Sequence, residues 1–243
     1  MNVSPVNHKG PGDRIMVIVA HPDDAEFMCA GSVAAWTKEG REVVYVLVTS
    51  GDKGTEDATI VPSEFAKLRE QEQRDVCDIL GVGEIEFLRY EDGMVQNDLQ
   101  LRKDIVRVIR KHKPSAVITQ NPTARWKGNY VNHPDHRNTG DATMDAVFPS
   151  ARDVHMFPEL LMNEGLEPHI VDHLYLGDGS EDADIVFDIT EGMETKVSAL
   201  KAHVSQVSDP DNVGGYLREN AKAIGERVGI GFAESFKYFY LGR

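Results

Sequence analysis

The chain has 243 residues, 41% of them apolar and 27% charged, a length and balance that give one large or two small globular domains and exclude a disordered, collagen-like or coiled-coil protein. Acidic residues outnumber basic ones 40 to 26, a net charge of −14, which argues against nucleic acid or an anionic membrane as the main partner. The two cysteines, Cys29 and Cys77, make neither a disulfide framework nor a cysteine zinc site and read as buried free thiols. Residues 1–14 are polar and lack the apolar centre of a signal peptide, and no apolar run reaches the roughly 20 residues of a membrane span. A cytoplasmic protein with no membrane insertion is expected, with 1–14 as a flexible arm.

Two periodicities alternate along the first 150 residues. Residues 15–20 (IMVIVA) and 42–49 (EVVYVLVT) are continuous apolar runs, the mark of strands buried on both faces, and 31–40 between them reads as a helix ending on Gly40. The polar stretch 50–62 is a loop. Ser63 then stands where it would cap a helix to Leu80, with an apolar stripe of Phe65, Leu68, Val76, Ile79 and Leu80. Residues 85–88 are a third strand. Leu101, Ile105, Val108 and Ile109 mark a helix closed before Pro114. Residues 115–119 (SAVIT) are a fourth strand, followed by a polar loop over 121–132 and a helix over 135–147. This alternation predicts an α/β fold with a parallel sheet and helices on both faces. Beyond it, 169–176 and 184–189 read as strands and 191–204 and 211–228 as helices. The aromatic segment 236–241 reads as a last strand or an interface patch. No repeat or linker divides the chain, so 1–243 is expected to be a single domain.

The chemistry lies in two clusters. Ala20-His21-Pro22-Asp23-Asp24 falls at the carboxyl end of the first strand, where open α/β sheets bind ligands and where a dinucleotide-binding protein carries G-x-G-x-x-G instead. Adjacent carboxylates repel and push their pKa values apart unless a cation lies between them; the plain alternative is a polar turn that caps the next helix. His133-Pro134-Asp135-His136 follows the fourth strand and its loop and reaches the same sheet edge. Its spacing lets both imidazoles face one way if a helix starts there. A surface histidine pair is the plain reading of that cluster alone, and the presence of two such clusters at strand ends lowers its weight. Together they offer two or three imidazoles and two or three carboxylates, a donor set suited to a catalytic zinc with three protein ligands and one open position.

At these residues the sequence resembles the zinc-dependent N-deacetylases of the PIG-L/LmbE type. AHPDD after the first strand and HPDH after the fourth carry the resemblance. Thr49-Ser50-Gly51-Asp52, the Leu68-Arg69…Glu72 helix running into Leu80-Gly81-Val82, and Ala202-His203…Ser205-Gln206 support it. The resemblance implies a Rossmann-like three-layer fold with a mostly parallel sheet. It implies a hydrolase that removes an N-acetyl or similar acyl group from an N-acetylglucosamine-type substrate, with zinc-bound water as nucleophile. It implies His21, Asp24 and His136 as metal ligands, Asp23 as general base, a protonated His133 stabilising the oxyanion with Asp135 orienting it, and Arg69 in substrate binding. Iron suits the same ligands as zinc, and homo-oligomers are compatible with the resemblance. Two departures stand out. Many members carry Glu directly after the two aspartates, where Ala25 intervenes here before Glu26, and a common Gly-Gly pair is Ala30-Gly31. Both bear on the pocket wall, and so on the substrate, rather than on the ligands.

Weaker candidates surround these. Arg69 alone reads equally well as a surface ion pair with Glu72, and His203 as a pocket or a helix-surface residue. His169 and His173 are four apart on an expected strand and share a face, a weak candidate for a second metal. Asp178, Ser180, Asp182 and Asp184 alternate like a calcium loop, but Ala183 and Ile189 stand where such a loop needs Gly and Glu; they read as a solvated acidic turn. Two rival classes stay open. A non-haem iron oxygenase would use two histidines and a carboxylate, usually on an all-β barrel. A metal- or sugar-binding protein without turnover would have no need of the second carboxylate, Asp23.

Overall fold

The computed structural model describes residues 11–177 and 183–242. β1 (Arg14–Val19) runs through the centre of the molecule, and its alternation sets the layers. Ile15, Val17 and Val19 belong to one apolar cluster and Met16 and Ile18 to another, because successive side chains of a strand leave opposite faces. Fully burying each contributes roughly 1.5–3 kcal/mol. After β1 come α1 (Asp24–Met28), α2 (Ala30–Lys38), β2 (Glu42–Thr49) and α3 (Pro62–Leu80). Val33 and Trp36 of α2 and Val76 and Leu80 of α3 pack on the first face with Val17 and Val19. β3 (Glu84–Tyr90), α4 (Leu99–His112) and β4 (Ala116–Gln120) follow. Asp98 caps α4 by accepting from the Leu101 amide at 2.8 Å, and Leu101, Ile105 and Ile109 pack on the second face with Met16 and Ile18. A two-residue hairpin, β5 (Trp126–Lys127) and β6 (Tyr130–Val131), leads into α5 (Pro134–Asp145), which joins that second layer. A wound turn over Ala146–Ser150, α6 (Pro158–Glu164), β7 (His173–Gly177), β8 (Ile185–Asp188), α7 (Met193–Lys201), α8 (Pro210–Glu226) and β9 (Ala233–Tyr240) complete the order.

The main sheet has the strand order β3-β2-β1-β4-β7-β9-β8. Pairs from β3 through β7 are parallel, and β9 is antiparallel to both β7 and β8. The fold is therefore the expected Rossmann-like three-layer one with a mostly parallel sheet. The chain builds outward from β1 to β3 and then returns to β4 on the other side of β1. The carboxyl ends of β1 and β4 thus flank a switch point, where a crevice opens.

Several local expectations fail. Val61, not Ser63, stands at the cap of α3, with Pro62 in its first turn. Leu68 and Ile79 of the expected stripe are 48% and 42% exposed, while Arg69, Glu72 and Gln73 are buried beside Phe65 and Val76; part of that inner face meets the crevice rather than the apolar core. Residues 11–14 are tied down: the Pro11 carbonyl accepts from Ser115 Oγ and the Gly12 carbonyl from Arg41, both at 2.9 Å. The rest of the expected arm lies outside the described residues. His169 precedes β7 and donates to the Pro114 carbonyl at 2.7 Å, whereas His173 contacts the Tyr238 hydroxyl at 2.9 Å, so they share no strand face. The aromatic tail is a strand, and it sits inside the sheet. Most of the acidic turn, through Asp178, Ser180 and Asp182, also lies outside the described residues. Cys29 and Cys77 are buried and free, as expected. Among the described residues no helix is long and apolar enough to cross a membrane.

Candidate metal centre and active site

Directly after β1 the chain turns at His21-Pro22-Asp23-Asp24. Asp23 has φ 92°, a left-handed conformation that costs a non-glycine residue about 1–3 kcal/mol. Neighbours hold it there. Gln73 Oε1 accepts from the Asp23 amide at 3.2 Å, and Arg69 Nη2 donates to Asp23 Oδ2 at 3.1 Å. Asp24 Oδ2 accepts from the His21 amide at 2.7 Å. The strained turn leaves both carboxylates lining the crevice.

α5 brings the second cluster. His133 caps it, with Nδ1 accepting from the Asp135 amide at 3.2 Å and Pro134 in the first turn, where no N–H is needed. His136 Nδ1 donates to Asn132 Oδ1 at 3.0 Å, which leaves Nε2 with a free lone pair, as a metal ligand requires. His21 Nδ1 lies 3.2 Å from His136 Nε2 and 3.3 Å from Asp24 Oδ2, and Asp24 Oδ1 lies 3.0 Å from His136 Nε2. Ligand atoms around a tetrahedral zinc with bonds of about 2.1 Å stand about 3.4 Å apart, so these three side chains fit a divalent cation. His133 adds a third imidazole, its nitrogen within 4.8 Å of those of His21 and His136.

The far side of His21 is backed by carboxylates. Its Nε2 lies 3.1 Å from Asp92 Oδ1 and 3.3 Å from Asp135 Oδ2, the arrangement that orients metal-bound histidines. Asp135 is fully buried and accepts from the amides of Gly93 at 2.7 Å and Val95 at 3.3 Å. Gly93, with φ 76°, supplies the left-handed turn there. The Asp135 carboxylate is 4.0 Å from His133 Nδ1, and that nitrogen already accepts the Asp135 amide. Asp135 therefore reaches His133 through its backbone and His21 through its carboxylate, a different arrangement from the one the resemblance implied. Asp92 went unnoticed in the sequence. The available signal was its place in an Asp-Gly pair just beyond the carboxyl end of β3.

Four carboxylates make this a strong field for positive charge. Burial disfavours a charged His21, but hydrogen bonds to Asp135, Asp24 and Asp92 prevail and push its pKa up to about 12. Burial and the neighbouring Asp24 raise Asp23 to about 7, against the pull of Arg69, His203 and His21. For Asp24, burial is outweighed by His136 and His21, which hold it well below the carboxylate range. Asp92, also buried, is drawn down to about 2 chiefly by His21. Burial and the charge of His21 lower His133, which favours a neutral ring over the expected imidazolium.

A second buried group stands behind Asp23. Glu26 accepts from Gln73 Nε2 at 3.3 Å and lies 3.0 Å from His203 Nε2, all three residues having no exposed surface. His203 is thus neither a helix-surface nor a pocket-lining residue. The displaced acid Glu26 has a definite place, holding the glutamine that holds the Asp23 amide. Arg69 is 3% exposed and donates to the carbonyls of Pro22 at 2.5 Å and Gly51 at 3.1 Å as well as to Asp23. It lines the crevice and is no surface pair of Glu72, which instead accepts from the Ser205 amide and hydroxyl, each at 2.7 Å. The crevice opens into a cleft of about 1240 Å³.

A family model described as PIG-L: GlcNAc-PI de-N-acetylase matches residues 16–147. The diacetylchitobiose deacetylase of Thermococcus kodakarensis is 32% identical over 231 residues, covering 93% of this chain and 82% of that one. Among solved structures, N,N'-diacetylchitobiose deacetylase from Pyrococcus horikoshii superposes with a TM-score of 0.85 at 29% identity, over 94% of this chain and 84% of that one. GalB, a 4-carboxy-2-hydroxymuconate hydratase from Pseudomonas putida, gives a TM-score of 0.76 at 18% identity, over 96% and 98%. That last likeness is one of fold alone, and a fold by itself does not select a reaction. The family model covers both motif clusters and the sheet edge that joins them, and the chain belongs to the PIG-L family of GlcNAc-PI de-N-acetylases.

Proposed function

We propose that this protein is a metal-dependent hydrolase that removes the N-acetyl group from an N-acetylglucosamine-type substrate. The observation that carries this reading is Asp23, a carboxyl raised to about 7 and adjacent in sequence to Asp24 in the donor set. A group that ionises near the working pH is the best general acid–base. We take His21, Asp24 and His136 as the ligands and zinc as the ion; ferrous iron suits the same donors, so elemental analysis of the purified protein tests that choice. Such an ion supplies Lewis-acid polarisation of the acyl oxygen and acidification of water.

The residues of the chain do the rest. Asp23 accepts a proton from the attacking water and passes it to the nitrogen as the amide C–N bond breaks, so the water's oxygen leaves in acetate and the amine departs protonated. Arg69 and Gln73 fix Asp23 from behind. The neutral His133, with Nδ1 accepting the Asp135 amide, carries its proton on Nε2 and donates it toward the developing oxyanion. Arg69 also borders the substrate. We read 1–243 as one deacetylase domain, and as cytoplasmic, in keeping with two buried free thiols. The test is acetate release by zinc-loaded protein from N-acetylglucosaminides. Asp23→Asn is expected to lower kcat by about 10²–10⁴-fold with the zinc content unchanged. Wild-type rates in that variant would remove Asp23 from the mechanism.

A further inference from the structure

The cleft is much larger than the chemistry at its floor requires. At about 1240 Å³ it exceeds the roughly 300–1,000 Å³ that enclose a drug-sized ligand, and one N-acetylglucosamine is smaller than such a ligand. Its rim carries three large aromatic side chains facing solvent. Trp126 is 72% and Tyr130 58% exposed on the β5–β6 hairpin, and Tyr216 is 56% exposed on α8; all three line the cleft. The hairpin pairs only Trp126 with Val131 and Lys127 with Tyr130, and an isolated two-stranded hairpin is marginal in water. Its aromatic residues add little burial in return, so folding gives no reason for them. Tyr130 also senses the charges of both Asp24 and Tyr216, which places the hairpin between the catalytic floor and α8.

We propose that this rim is a subsite for a second pyranose ring, with Trp126, Tyr130 and Tyr216 as its platform, and that the protein acts on a disaccharide or longer amino-sugar chain. The proposal rests on the deacetylase reading of the cleft floor. The occupant follows from the mixture of groups. A pyranose has apolar C–H faces and polar edges. Tyr and Trp offer flat apolar area with a polar tip, and Lys53, Asn132 and Asn220 line the same cleft with donors and acceptors. A fatty acyl chain would leave those polar groups unpaired.

Trp126 also supplies the readout. The sequence has two tryptophans, and Trp36 is 5% exposed in the core, so sugar-dependent changes in emission report Trp126. Zinc-loaded protein carrying Asp23→Asn is titrated with N-acetylglucosamine and with diacetylchitobiose, and the wild type is assayed for acetate release from both. Diacetylchitobiose is expected to change the emission and the monosaccharide to leave it unchanged. In Trp126→Ala and Tyr216→Ala the ratio of kcat/KM for disaccharide over monosaccharide is expected to fall about tenfold, and Trp126→Phe to restore it. A ratio alone is read, so general damage to the fold cancels. Turnover of both sugars with a ratio that no rim variant moves overturns the subsite and leaves the deacetylase reading standing. An emission change with the disaccharide but no turnover of either sugar supports the subsite and overturns that reading. Neither response overturns both.

Discussion

Gly140 sits one helical turn beyond His136, on the same face of α5, and its hydrogen sets how closely the helix approaches β4. A Cβ at this position would stand 2.3 Å from the Gln120 carbonyl oxygen and 3.1 Å from Pro122 Cδ. Gln120 ends β4, and its side chain accepts from the Ala20 amide at 3.1 Å, so the contact is bolted to the strand that carries the first motif. Relieving it requires α5 to retreat by about 1 Å, since carbon contacts settle near 3.5 Å. Gly140→Ala gains up to about 1 kcal/mol of helix propensity and loses about 1–3 kcal/mol to crowding. The net loss is at most about 2 kcal/mol, and the melting temperature falls by about 2–4 °C for each kcal/mol. The catalytic effect is larger, because His136 retreats with the helix from His21 and Asp24, and a misplacement of this size costs about 10²-fold. The expected result is a protein that melts almost normally, releases acetate about 10²-fold more slowly, and holds zinc about 10–100-fold more weakly. Thermal melts by circular dichroism, zinc competition against a chelator and acetate release read the three quantities. Wild-type zinc affinity in this variant would refute the reasoning, because the methyl would then be absorbed without moving His136.

Metal binding is expected to release protons. His21 is raised from 6.5 to about 12, so it is charged at neutral pH and must lose its proton to ligate, and Asp23 at about 7 gives up a further fraction. Zinc affinity therefore rises between about pH 6 and 8, with about one proton or more released per ion, measured by calorimetry in buffers of different ionisation enthalpy; pH-independent affinity would sink the idea. The same shift fixes a sign for the metal-free protein: the stability from a raised His21 is fully present below about 6.5 and is lost only as pH climbs through about 12. Lys196→Met is expected to be severe. Lys196 and Glu234 are both 3% exposed and 2.5 Å apart, and removing one member of a buried pair costs about 3–5 kcal/mol. Urea unfolding checks it, and a loss under about 1 kcal/mol would show that Ser32 and the Gly31 amide alone satisfy Glu234.

The two motifs were legible because their chemistry is local. A His and two Asp at the end of an apolar run need no tertiary information to look out of place, and switch-point logic puts them at a ligand site. Asp92 was not legible, since one Asp-Gly pair after a strand looks like any turn until His21 is brought against it. α3 misled for a related reason: the apolar-stripe rule assumes that a helix buries itself against hydrocarbon, and Arg69, Glu72 and Gln73 are buried against polar neighbours. The insertion of β9 between β7 and β8 was also out of reach, because register and strand order are set by partners far away in the chain. His169 failed through a boundary error of a few residues, enough to move it from strand to loop.

The acidity of the chain takes on a different meaning once its carboxylates are located. Asp135 is held by the amides of Gly93 and Val95, Glu72 by Ser205, and Glu234 by the amides of Gly31 and Ser32. Each joins segments distant in sequence, and each is satisfied mainly by donors of the protein itself, which removes the usual penalty of a buried charge. Asp24 is different. Both of its oxygens lie against imidazole nitrogens that turn toward the crevice, His21 Nδ1 and His136 Nε2. The fixed acids orient, and the facing ones are left to share whatever positive charge enters, a proton or a metal. Donors held in advance of the reaction are what electrostatic catalysis requires, and here the holding is done by backbone amides and by Gln73, Asn132 and Arg69 rather than by the catalytic groups themselves.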